Sequence, residues 1–167
     1  VLSAPSYSSL GKGWRTNFDA AASWNGADPA SSTLVHIILP NAFQYSFLKQ
    51  SGLWKPVLPR WSGSGFVWDR IRTDIDIGLT ADQSGIILRM QDGKRFSFDA
   101  SGKLTRALFR DGYAQSVTYS GGRIARVSDN LGRWLEFTYG GANTPLLLAA
   151  VRTSDGRKVS YSYENRY

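Results

Sequence analysis

The chain contains no cysteine, which excludes disulfide staples and thiolate metal sites. It has one histidine, His36, so a multi-histidine metal centre cannot form. Serine and aspartate are plentiful, yet no Gly-x-Ser-x-Gly elbow marks a nucleophile. His36 lies inside the apolar run Leu34-Val35-His36-Ile37-Ile38 and reads as a strand histidine with its hydrogen bonds met. No apolar run reaches the roughly 18 residues of a membrane-spanning helix. Sustained 3.6-residue periodicity is missing, so little or no helix is expected. No leader is visible at Val1. Gly11-Lys12-Gly13 is too short for a phosphate loop and lacks its Gly-Lys-Ser/Thr close. No catalytic residue, cofactor site or metal site is assigned, and the chain is not expected to be an enzyme.

What is present is repetition. Asp92-Gly93, Asp111-Gly112, Leu131-Gly132 and Asp155-Gly156 open similar units, their glycines 19, 20 and 24 residues apart. Each unit then runs to an aromatic: Phe98, Tyr119, Tyr139 and Tyr163. A period of this size marks one supersecondary unit copied along the chain, and such a unit needs neighbours to bury its apolar face. In Lys94-Arg95-Phe96-Ser97-Phe98 the aromatics alternate with polar residues, which is the period of a strand. A turn at Gly102 leads to a return strand, Lys103 to Phe109. The next unit repeats this with Val117 and Tyr119, a turn at Gly121-Gly122, and Arg123 to Val127. The third has Leu135, Phe137 and Tyr139, a longer turn from Gly140 to Pro145, and a return from Leu146. Its longer turn accounts for the spacing of 24. Asp-Gly predicts tight two-residue hairpin turns with positive φ at both residues. The last unit places Val159, Tyr161 and Tyr163 on one strand face and stops without a return strand, so a segment of a longer chain is expected.

The pattern continues less faithfully upstream. Thr33 to Leu39 and Phe43 to Phe47 read as strands. Ile75, Ile77 and Leu79 alternate with Asp74, Asp76 and Gly78, and Ile86 to Met90 follows a turn. Ala20 to Ser32 and the proline- and glycine-bearing stretch Pro56 to Gly65 read as loops. The predicted fold is all-β: an antiparallel meander of consecutive hairpins forming a twisted, curved sheet. We divide it as one segment over 1–167, with an opening strand and loop over 1–32, degenerate repeats over 33–90 and clearer ones over 91–167.

The formal net charge is +7. Residues 91–167 carry 12 Lys/Arg against 7 Asp/Glu, and residues 1–90 carry 8 against 6. The cations stand singly, as at Arg95, Lys103, Arg106, Arg123, Arg126 and Arg133. They read as solvated strand faces and guarded edges, with a binding surface for glycan or nucleic acid as the alternative. Trp14, Trp24, Trp54, Trp61 and Trp68 suit core packing or a stacking surface. Asp69, Asp74 and Asp76 form the densest carboxylate group, which Arg70 and Arg72 stand ready to neutralise. A polar strand face is the simpler reading of it than Ca²⁺ or acid–base chemistry.

The stretch Phe98-Asp99-Ala100-Ser101-Gly102-Lys103-Leu104-Thr105 resembles the YD repeat of the rearrangement-hotspot (Rhs) family, with Phe for Tyr and Lys for Arg. Tyr119-Ser120-Gly121-Gly122-Arg123-Ile124 is a shorter copy. Tyr139 and Tyr163 hold the aromatic position. Leu10-Gly11-Lys12-Gly13-Trp14-Arg15 looks like the segment that opens such repeat regions, so Gly11, Gly13, Trp14 and Arg15 are assigned to it. The resemblance covers roughly residues 9–167. It implies a β-strip that spirals into a hollow shell around a C-terminal toxin or other cargo, as in bacterial toxin systems, with relatives in insecticidal toxin complexes and teneurins. It also implies a secreted or cell-surface bacterial protein. The expected partners are the remaining repeats of a longer parent chain, the enclosed cargo, and further copies joined through sheet edges. The family's Asp-Pro-x-Gly-Leu self-cleavage motif is absent, since Asp28-Pro29-Ala30 lacks the rest, so neither processing nor toxicity carries over.

Overall fold

Apolar residues at alternate positions, interrupted by glycine-bearing corners, fold as short strands joined by tight turns. The computed structural model describes residues 16–140 and 147–163. Among them are fourteen strands and no helix, as the periodicity predicts. Internal contacts group the chain into two units, Ala20–Tyr113, and Val1–Asp19 with Ala114–Tyr167.

The first unit opens with a five-stranded antiparallel sheet in chain order: β1 (Ala21–Trp24), β2 (Leu34–Ile38), β3 (Gln44–Gln50), β4 (Leu53–Trp61) and β5 (Phe66–Ile71). Four more strands follow, again antiparallel and in order: β6 (Gly78–Asp82), β7 (Gly85–Arg89), β8 (Arg95–Asp99) and β9 (Leu104–Leu108). Val35 stands opposite Phe47 across β2 and β3, and with Ile37 both are closed to solvent. From the later strands Ile86, Leu88, Phe98 and Leu104 are buried. Each such side chain contributes about 1.5–3 kcal/mol by leaving water. The two sets of strands meet at one corner, where the N–H of Ala22 donates to the carbonyl of Gly102 at 2.8 Å.

Three expectations about this unit need correction. Pro56 to Gly65 is not a loop, because β4 runs through both prolines to Trp61. Pro56 faces Phe47 and uses only its carbonyl, which accepts the N–H of Arg72 at 2.8 Å. Pro59 falls where the ladder to β5 shifts register between Leu58 and Arg60, a bulge that asks for no donor. The stretch from Ala20 likewise begins with a strand, β1, before turning irregular. Asp74 and Asp76 share no strand face, because β6 starts only at Gly78.

The second unit contains β10 (Ala114–Ser120), β11 (Arg123–Asp129), β12 (Trp134–Tyr139), β13 (Leu148–Thr153) and β14 (Lys158–Ser160). They too are antiparallel in chain order. Val117, Ile124, Val127 and Leu148 are its buried aliphatics. Tyr163 lies beyond β14, not on its face, and its hydroxyl donates to the carbonyl of Leu148 at 2.8 Å.

Candidate functional site

The recurrent feature is the corner. Six five-residue loops share one geometry: Leu39–Phe43, Met90–Lys94, Asp99–Lys103, Phe109–Tyr113, Asp129–Arg133 and Thr153–Arg157. In each, the first N–H donates to the fifth carbonyl at 2.8–2.9 Å, and the fourth N–H returns to the first carbonyl at 2.9–3.3 Å. The fourth residue is left-handed, with φ of +80 to +85° at Gly93, Gly102, Gly112, Gly132 and Gly156, and +64° at Ala42. This is a three-residue hairpin loop, a type I turn closed by a glycine bulge. The two-residue turn expected at Asp-Gly is therefore wrong, since no aspartate there has positive φ. Two consecutive positive φ values occur at Ser51-Gly52 and Gly121-Gly122, which are two-residue turns closed by Gln50↔Leu53 and Ser120↔Arg123.

The loop has a chemical requirement. Its first carbonyl is taken by the fourth residue, so the fifth N–H must find another acceptor. A side-chain oxygen supplies it at five of the six corners. From the third position, Asp92 accepts from Lys94 at 3.1 Å, Asp111 from Tyr113 at 3.0 Å and Asn41 from Phe43 at 3.2 Å. At the Thr153–Arg157 corner Asp155 instead accepts from the Arg157 guanidinium Nε at 2.7 Å. From the first position, Asp99 accepts from Lys103 at 3.0 Å and Asp129 from Arg133 at 2.9 Å. Asp-Gly and Asp-x-x-Gly are thus two spellings of one backbone loop. Leu131, which breaks the Asp-Gly series, costs nothing because Asp129 does the work.

These bonds act on the carboxyls. Burial works to raise Asp99, but the Ser101 hydroxyl and the N–H groups of Lys103 and Ser101 outweigh it and hold it below the usual range. Asp129 behaves alike, burial being overcome by the N–H and guanidinium of Arg133 and the N–H of Leu131. Asp155 is lowered by Arg157 and the Thr153 hydroxyl.

The repeat aromatics mark a second recurrent feature. Phe98 faces Leu104, Tyr119 faces Ile124, and Tyr139 faces Leu148. One pair away, the register skips a residue in each return strand, Thr105, Ala125 or Ala149. The aliphatics facing inward are consequently three apart, as in Leu104 and Ala107, or Ile124 and Val127. A bulge of this kind bends its strand and sharpens the local twist. That spacing of three was present in the sequence and is the signal that strict alternation hides. The opening motif Gly11, Gly13, Trp14 and Arg15 lies outside the described residues.

The remaining chemical candidates are dispersed. Asp69 is held by Arg60 at 2.6 Å, Asp74 by Arg72 at 2.6 Å and Asp76 by Arg89 at 2.9 Å, so each carboxylate has its own cation. Arg72 does so as expected, whereas Arg70 is replaced in that role by Arg60. Among the described residues no three His, Asp or Glu side chains gather as a metal site. The His36 Nδ1 shares a hydrogen bond of 2.8 Å with the buried Ser46 hydroxyl, and its ring meets Trp68 edge-on at 4.7 Å. Burial lowers its pKa, so it rests neutral. The described tryptophans serve separate contacts: Trp24 lies beside Gly102, Trp54 beneath Lys49, and Trp61 against Phe66. Compared with known protein-family models and with curated proteins, the chain has no match.

Proposed function

We propose that this chain is a non-enzymatic wall segment of an Rhs-type hairpin-repeat shell, built to enclose a toxin or other cargo carried on the same parent chain. The observation that carries the reading is the recurrence of one corner loop and one bulge. Corners of fixed geometry let hairpins be added without a new solution at each end. A bulge beside Phe98, Tyr119 and Tyr139 bends the strand at each, as a curved wall needs. Within each unit the two ends of the hairpins differ. The corners at Gly93 and Gly112, and at Gly132 and Gly156, keep the five-residue loop. The opposite turns vary in length, as loops on one side of a repeat array do.

The test is protease protection in the parent protein. The segment following the repeats should resist digestion in the intact chain and be cut rapidly when made alone. Equal cutting in both forms, or flanking sequence without further Asp-Gly or Asp-x-x-Gly hairpins, would remove the reading.

A further inference from the structure

One face of the second unit carries cations in a row across neighbouring strands. Register places Arg126 of β11 opposite Glu136 of β12, Glu136 opposite Arg152 of β13, and Arg152 opposite Lys158 of β14. Residues directly opposite share a face, so all four project to the same side, spanning about 14 Å at about 4.8 Å per strand. Arg126, Arg152 and Lys158 are exposed. Among the described residues, none of the three has a carboxylate within ion-pair distance. Glu136 offsets one charge of the three. Like charges directly opposite one another destabilise a sheet, and the Arg152–Lys158 pair is such a cost. Its counterpart in the first unit, Arg89 opposite Arg95, is relieved by Asp76 at 2.9 Å.

The same face presents a stacking platform. Trp134 shares it with Glu136, and the Arg126 guanidinium lies over the indole at 4.4 Å from its centre. A planar cation on an aromatic ring leaves its outer face available for a further flat π-system. Phosphates spaced along a chain answer the cation row, and bases answer the platform. Antiparallel sheet faces bearing aromatics and cations hold single strands in this way.

We propose that this face, Arg126, Trp134, Arg152 and Lys158, binds single-stranded nucleic acid without sequence preference. An anionic polysaccharide would meet the cations but leave the stacked platform unused. The proposal does not rest on the shell reading.

The test is fluorescence anisotropy of a labelled oligothymidylate of about 20 nucleotides against the intact chain across a salt series. Three phosphate contacts on a single strand predict a log–log slope of about −2. Arg126→Ala, Arg152→Ala and Lys158→Ala should each shrink the slope by about 0.7, and Trp134→Leu should weaken binding by about fivefold or more. Arg70→Ala and Arg95→Ala, which remove the same charge elsewhere, should leave it unchanged. Thermal melts establish that each variant folds, and Arg152→Glu gives a surface-only reversal should Trp134→Leu unfold. No binding, equal weakening by the control variants, or tighter binding to heparin with no effect of Trp134→Leu would each overturn the proposal.

Discussion

The carbonyl of Gly102 accepts the N–H of Ala22 at 2.8 Å, and a β-carbon on Gly102 would lie 2.0 Å from the carbonyl oxygen of Ala22. Gly112 occupies the same position in the next corner, at φ +85° against +80°, with open space where its β-carbon would go. The two glycines therefore separate backbone strain from steric clash. Gly112→Ala should cost roughly 0.5–1 kcal/mol, the left-handed penalty less the entropy that glycine adds to the unfolded chain. Gly102→Ala should cost several kcal/mol more, because β1 must be displaced from the corner. Urea midpoints of the two variants measure the difference, and equal losses would mean that β1 does not dock there.

Asp99 gives its corner three bonds, from the Ser101 N–H at 2.9 Å, the Ser101 hydroxyl at 2.7 Å and the Lys103 N–H at 3.0 Å. Asp99→Ala should lose about 1.5–3 kcal/mol, the range for hydrogen bonds to a charged group. Asp99→Asn, whose amide oxygen still accepts, should lose less than half as much. If Ala and Asn prove equally harmful, charge rather than loop closure is at work.

Ala42 holds φ +64° at the one corner of the six that lacks glycine. Replacing it with glycine should raise stability by roughly 0.5–1 kcal/mol, since the left-handed cost exceeds the entropy a glycine adds to the unfolded chain. A melt of Ala42→Gly lower than wild type would contradict the shared geometry of that loop.

His36 sets a pH dependence. Its pKa in the folded chain lies below the ordinary 6.5 because burial disfavours the charge. Just beneath pH 6.5 the unfolded chain then binds more protons, so stability is greatest above that value and falls as pH drops through it. His36→Gln should flatten this slope while keeping a partner for Ser46. Urea midpoints at pH 7.5, 6.5 and 5.5 would reveal it, and parallel wild-type and variant curves would count against it. The depressed carboxylates at the corners respond lower, their stabilisation being present above the ordinary carboxylate value of 3.8 and lost as acid titrates Asp99 and Asp129.

At the outer strand of the first sheet, β5, Phe66, Val67 and Ile71 are exposed, as are Leu58 and Trp61 on β4. An apolar strand edge of this kind pairs with other chains. Sedimentation velocity should show concentration-dependent association of the isolated chain, weakened by Val67→Lys. A monomer at high concentration would be the opposing result.

Strands and corners were legible because alternation and glycine report directly on the backbone. The loop type was not, because Asp-Gly suits both a two-residue turn and a three-residue loop. The choice falls to the closing pair, such as Met90 with Lys94, which no single residue announces. The bulges are not visible in the sequence because Phe96 and Phe98 alternate cleanly and only the partner strand slips. β4 is hidden because Pro56 and Pro59 look like breakers, whereas Pro56 lies opposite Arg72, just past the end of β5, and Pro59 at a bulge. Pairings such as Arg60 with Asp69 and Arg89 with Asp76 cross the turn between neighbouring strands, and composition alone does not reveal them.

Electron cryomicroscopy of the full-length protein that carries this sequence tests the proposed wall directly. We predict that β1–β14 run on into further hairpins with the same five-residue corners, around density for an enclosed segment. A free-standing domain joined to its neighbours by linkers, with no hairpins continuing it, would contradict the account.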